Sequence, residues 1–141
     1  MTHSFDGYNH LIRLDMGEKL SAALEQFIAE SKIEGGWISG VGAANEIMLG
    51  FYQLSLKDYK MRTFGSMMEI VSLNGNFAYD EQGKVMWHLH GAFADSDYQT
   101  VGGHVKDFTA GATVELFVHR LQKPAHRKHH DATGLQILNF E

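Results

Sequence analysis

The sequence predicts a single α+β domain with a mostly antiparallel β-sheet and one main helix near its start. Three observations carry that expectation. One amphipathic helical stripe stands early in the chain. A succession of strand-like segments with tight turns follows it. The 141 residues suit one compact domain with one real core.

The elements read in order. Tyr8 to Leu14 alternates imperfectly and predicts a first strand. Asp15-Met16-Gly17-Glu18 turns the chain into a helix. Leu20, Ala23, Leu24, Phe27 and Ile28 recur at spacings of three and four, which aligns them on one helical face. Glu30-Ser31-Lys32 closes that helix. Trp37 to Val41 is a short strand, and Glu46 to Leu54 a second. Met67 to Phe77 is a third, with Asn74-Gly75-Asn76 as a bend or bulge inside it. Asp80-Glu81-Gln82-Gly83 makes a hairpin turn, and Val85 to Phe93 is its return strand. Asp95-Ser96-Asp97 is another turn. Thr100 to Val105 and the strongly apolar Thr113 to Leu121 complete the sheet, and Leu135 to Phe140 forms an edge strand. One domain is expected over 1–141, with a core over 8–121. The remainder, 122–141, holds a loop and the edge strand, and 123–134 is its most mobile part.

Composition removes several function classes. Hydrophobic residues make up 44% and charged residues 21%, a balance that folds rather than one that stays disordered. Cysteine is absent, which excludes disulfides, thiolate metal sites and a cysteine nucleophile. That absence suits a reducing cytoplasm. The start of the chain lacks the basic and apolar regions of a signal peptide. The apolar runs are too short to span a bilayer, so no membrane partner is expected. The formal charge of −5 disfavours a duplex-binding face. The one basic cluster, Lys123 to His130, carries no base-reading motif.

Histidine placement is the most informative chemical feature. His88 and His90 stand two apart on a predicted strand, so their rings share a face with Cα atoms roughly 6.5–7 Å apart. Two such rings can converge on one ion at about 2.0–2.1 Å from each nitrogen. His104 follows Gly102-Gly103, which permit a close backbone approach. If the strand ending at Phe93 pairs antiparallel with the one starting at Thr100, His104 returns beside the first two. Three neutral imidazoles suit a divalent metal, zinc foremost, and also nickel, iron or copper. Such a set leaves a position open for water or substrate. A His-x-His pair is equally found on the half-exposed polar face of a strand. The cluster His126, His129 and His130 reads as a solvated loop, because Arg127 and Lys128 would repel an ion.

Glu69 and Glu115 each sit within apolar strands. Alternation either turns them to solvent or makes them partners of the metal ligands, or a general base. Gly40-Val41-Gly42-Ala43-Ala44-Asn45 lacks a third glycine and opens a strand, so it reads as a tight turn rather than a dinucleotide loop. Phe51, Tyr52, Phe77 and Trp87 are expected in the core or a subunit interface.

An ordered set of short runs carries a family resemblance. These are Gly40-Val41-Gly42-Ala43, Gly50-Phe51-Tyr52, Met68 to Gly75, His88-Leu89-His90 and Gly102-Gly103-His104. From about Tyr8 to Leu121 the chain resembles the PPC (plants and prokaryotes conserved) domain, in its stand-alone prokaryotic form. The resemblance implies an α+β fold, a homotrimer, and metal held by histidines at the positions of His88, His90 and His104. It also implies a DNA-associated or regulatory role. Plant relatives pair the domain with AT-hooks, and this chain has no Arg-Gly-Arg-Pro core. Missing AT-hook and acidic charge together disfavour direct DNA binding. A Gly-Arg-Phe-Glu-Ile-Leu stretch serves partner contact in plants. Here Gly65-Ser66-Met67-Met68-Glu69-Ile70 stands in its place, without the Arg-Phe. The alternative function is a small metal-dependent enzyme, a hydrolase or lyase, using the open three-histidine site with Glu69 or Glu115 as base.

Overall fold

The computed structural model describes residues 1–140. Nine strands and one helix follow one another along these residues: β1 (Thr2–Phe5), β2 (Asn9–Leu14), α1 (Leu20–Ser31), β3 (Gly36–Gln53), β4 (Asp58–Phe64), β5 (Met68–Tyr79), β6 (Val85–Ala94), β7 (Thr100–Arg120), β8 (His126–His130) and β9 (Leu135–Asn139). The α+β expectation holds. No described helix is long and apolar enough to cross a membrane.

β3 and β7 form the spine. They pair antiparallel from Gly36↔Arg120 to Gly50↔His104. Each is a single long strand, where the sequence predicts two segments apiece. Gly40 to Asn45 is not a turn. It is a stretch of register shifts within β3, at Gly40/Gly42, Gly42/Ala44 and Asn45/Met48. Bulges of this kind absorb turn-forming residues and bend a strand without ending it. The bend changes partners: the first half of β3 pairs with β5, the second with β4. β5 pairs with β6, and the end of β6 pairs with the start of β7. The hydrogen-bonded circuit β3–β5–β6–β7 therefore closes on itself. The expected irregularity at Asn74-Gly75-Asn76 is absent, since these residues pair regularly with Ser39, Ile38 and Trp37. The irregularity lies at Ile70/Ser72 instead.

α1 covers the inner face. Leu20, Leu24 and Phe27 are buried, together with Ile12, Leu14, Ile38, Leu116 and Val118 from β2, β3 and β7. Each such side chain contributes about 1.5–3 kcal/mol through lost apolar surface. The helix carries no capping side chain of its own. Its cap arrives from β7: Asp107 accepts hydrogen bonds from Ser21 N at 3.0 Å and Ser21 Oγ at 2.8 Å. A carboxylate there satisfies an orphan N–H and complements the helix dipole. At the other end Lys32 adopts φ 54° and donates to Ile28 O.

Besides β8, two strands escape the sequence reading, β1 and β4. Both are short and mostly exposed, so neither shows clean alternation. The expected mobile loop is corrected as well: His126 to His130 is β8, paired in register with β9 from His126↔Asn139 to His130↔Leu135. β9 ends the sheet, as expected of an edge strand. Phe77 enters the core, and Phe51 points to solvent.

Replacing Asp107 by Ala is expected to lower unfolding free energy by about 1–2 kcal/mol in a denaturant titration. An unchanged midpoint would show that the helix start does not depend on this cap.

Candidate metal centre

β6 and β7 bring the three histidines together. His90 pairs directly across the ladder with His104, and His88 lies two residues back on the same face of β6. Their candidate ligand nitrogens all lie within 4.8 Å of one another. His88 Nε2 and His90 Nε2 are 3.2 Å apart. At that distance two neutral imidazoles either share one proton or aim two lone pairs at a common cation. Two nitrogens on one tetrahedral ion at about 2.0–2.1 Å lie about 3.3–3.4 Å apart, so the separation fits the second case.

The backbone makes this approach feasible. A Cβ on Gly75 would meet His88 O at 1.9 Å. Only glycine lets β5 run this close to β6 behind the histidine. The Gly102-Gly103 pair acts likewise, with Cβ positions 2.8 Å from Gly91 O and 2.9 Å from Gly50 O.

The surroundings of two of the rings favour their neutral form. Burial pushes the His104 imidazolium down to about 4, helped by His88, His90 and Lys106. Burial also lowers His88, with His90 and Arg127 adding to it. Neutral imidazoles are the form that ligates metal. Tyr59 of β4 stacks on the His104 ring at 4.7 Å and 29°. The His104 Nδ1 is buried and meets no hydrogen-bond partner among the described residues. An orphaned ring nitrogen within a cluster of three imidazoles fits a site built for a cation.

One side of the cluster is open. A cavity of about 710 Å³ borders His88 and His104, lined also by Tyr59, Trp87, Lys106 and Arg127. β8 and β9 wall it. Arg127 donates to Asn76 Oδ1 and to Gln136 O, and Asn76 is the cross-strand partner of His88.

Neither glutamate joins the cluster. Glu69 is exposed and pairs with Ala94, four positions along β6 from His90. Glu115 is exposed, pairs with Arg13 and Val41, and lies eleven residues along β7 from His104. Within one chain both stand in exposed positions away from the histidines. His126, His129 and His130 are exposed on β8, in a strand and not a loop. Sequence reasoning missed Tyr59 and Arg127. Tyr59 sits in an unread strand, and Arg127 lies hidden in a run that resembles a solvated basic tail.

Comparison with known proteins gives one family. The model of the Plants and Prokaryotes Conserved (PCC) domain matches residues 1–122. Three solved structures resemble the chain over nearly its whole length. A candidate DNA-binding protein from Bacteroides thetaiotaomicron has TM-score 0.93 and 29% identity, covering 99% of this chain and 96% of that one. A second candidate DNA-binding protein, from Ralstonia eutropha JMP134, has TM-score 0.91 and 25% identity with the same coverage, 99% and 96%. A metal-containing protein from Archaeoglobus fulgidus has TM-score 0.87 and 28% identity, covering 99% of each chain. No curated protein is significantly similar in sequence.

The depressed His104 value sets a pH dependence. The unfolded ring titrates near 6.5 and the folded one at about 4, so between those values the unfolded chain binds more protons. Stability therefore rises with pH across that window and is lost as pH falls through it. Chelator-treated protein is expected to lose at least about 5 °C of Tm between pH 6.5 and 4.5, with a flatter profile in His104→Gln. Equal slopes in the two proteins would remove His104 as the cause.

Proposed function

The chain belongs to the Plants and Prokaryotes Conserved domain family, and from that membership we propose that it is a homotrimeric metal-binding protein with a regulatory or assembly role. His88, His90 and His104 hold one divalent ion, zinc foremost. The observation that carries this reading is the convergence of three imidazoles, with ligand nitrogens within 4.8 Å of one another. The Archaeoglobus relative, described as metal-containing, supports it.

The trimer has physical support on the outer face. Leu11, Phe117, Val41 and Val71 stand exposed across neighbouring strands β2, β7, β3 and β5. An apolar sheet face of this kind is the surface an oligomer covers. We place the protein in the cytoplasm, which suits a chain without cysteine. DNA association is at most indirect. The two relatives described as candidate DNA-binding proteins supply the motive, but the chain carries a net charge of −5 and no AT-hook.

The cavity beside the histidines favours a second reading, a small metal-dependent enzyme of the hydrolase or lyase type. A bound ion there would supply Lewis acidity and an acidified water. The histidines hold the ion position, Tyr59 packs the His104 ring, and the β8–β9 hairpin walls the opening.

Native mass spectrometry of protein purified without added metal is expected to give three chains and one ion per chain. His90→Ala should lose the ions and keep the trimer. Metal-free wild type would sink the site, and a monomer would sink the assembly. In a mobility-shift titration the pure protein is expected to leave duplex DNA unshifted at micromolar concentration. Steep, salt-sensitive binding would overturn the indirect role.

A further inference from the structure

Arg127 is buried to 5% exposure. No carboxylate pairs with it among the described residues. Its partners are neutral oxygens, Gln136 O and Asn76 Oδ1. Nε is buried and meets no acceptor among the described residues. A guanidinium has five N–H donors, and two are engaged here. Buried charges in proteins are ordinarily paired, because an uncompensated one costs several kcal/mol.

This charge lies between two cavities, one of which reaches the histidines. Arg127 lines the cavity that His88 and His104 also border. Lys106, two residues beyond His104 on β7, adds a second positive charge to the same wall. Asp58 is the carboxylate in the lining, and Tyr59 N engages its Oδ1 at 2.7 Å. Met86, Trp87 and Ile137 supply apolar surface between the charges. A cavity of about 710 Å³ lies within the range that takes small-molecule ligands.

We propose that this cavity binds a small organic carboxylate, its anionic end held by Arg127 and Lys106 and a further oxygen directed to the ion position of the three histidines. The second half rests on the metal reading above, and the first half does not. The hairpin that supplies Arg127 lies beyond the family-matched residues, which end at 122. The similar solved structures cover 99% of this chain, so the region that supplies Arg127 is shared with them although the family model ends before it.

The test uses full-length protein reconstituted with cobalt(II), and succinate as the probe. Succinate is expected to change the visible cobalt spectrum saturably and to raise Tm. In Arg127→Met the affinity should fall at least about tenfold, with cobalt stoichiometry unchanged. Arg127→Lys should fall between the two, and Lys106→Met should weaken binding without disturbing the hairpin. If Arg127→Met does not fold, those two variants decide the matter alone. Cobalt bound normally with succinate affinity equal in all variants, or no response in wild type, overturns the proposal. If no cobalt binds, the metal reading fails instead. The anion half is then read from Tm: an Arg127-dependent rise with succinate sustains it, and no rise overturns it.

Discussion

The antiparallel register between β6 and β7 is the constraint on which the rest depends. It sets His90 opposite His104 and Gly91 opposite Gly103. Side chains alternate across a strand with a period of two, so a slip of one residue would turn His104 to the other face. Two features prevent that slip. Leu89, Phe93 and Val105 are fully buried, so moving either strand by one would expose them. The glycines at 91, 102 and 103 permit an approach that residues with a Cβ would obstruct. Core packing and ligand placement are therefore fixed by one choice of register.

Circuit closure extends that constraint to distant parts of the chain. β7 carries His104 near its start and the core residues Val114, Leu116 and Val118 near its end. It also carries Asp107, which caps α1. One strand thus ties the histidine cluster to the helix and the main core. The bulges in β3 make this geometry available. They bend the spine enough for its two halves to serve different neighbours, β5 along the first half and β4 along the second, while β7 keeps the opposite edge. β4 in turn brings Tyr59 over the His104 ring.

What the sequence revealed follows from how each signal arises. The helical stripe from Leu20 to Ile28 survives because its apolar period reports burial against one surface. His88 and His90 are legible because a period of two needs only one strand. His104 is legible because its partner strand lies one turn away. Long strands were split because Gly40 to Asn45 has turn composition, and only tertiary pairing converts it into bulges. Arg127 was unreadable for a different reason. In the run Lys123 to His130 the other charged and histidine side chains are exposed, and nothing local distinguishes the one cation that the fold buries. Glu69 and Glu115 were ambiguous because an acidic residue in an apolar strand fits either face. Their cross-strand partners, which decide it, are set by the sheet.

The charge around the histidines bears on what the opening can receive. Neutral imidazoles contribute no negative charge to a cation, unlike carboxylate or thiolate ligands. An ion held by three of them keeps its full double charge, in a wall that already contains Arg127 and Lys106. Such a site disfavours a second cation and the positively charged groups of a substrate. Its excess charge is relieved by an anion or by a water that gives up its proton. Burial lowers the His104 and His88 imidazolium values first, and the neighbouring positive groups add to it. Rings withdrawn from water and close to positive groups take up a proton only at lower pH than a free imidazole. A cluster built to refuse protons and to attract anions is consistent with ligand exchange at an ion. It does not resemble a proton-carrying histidine relay.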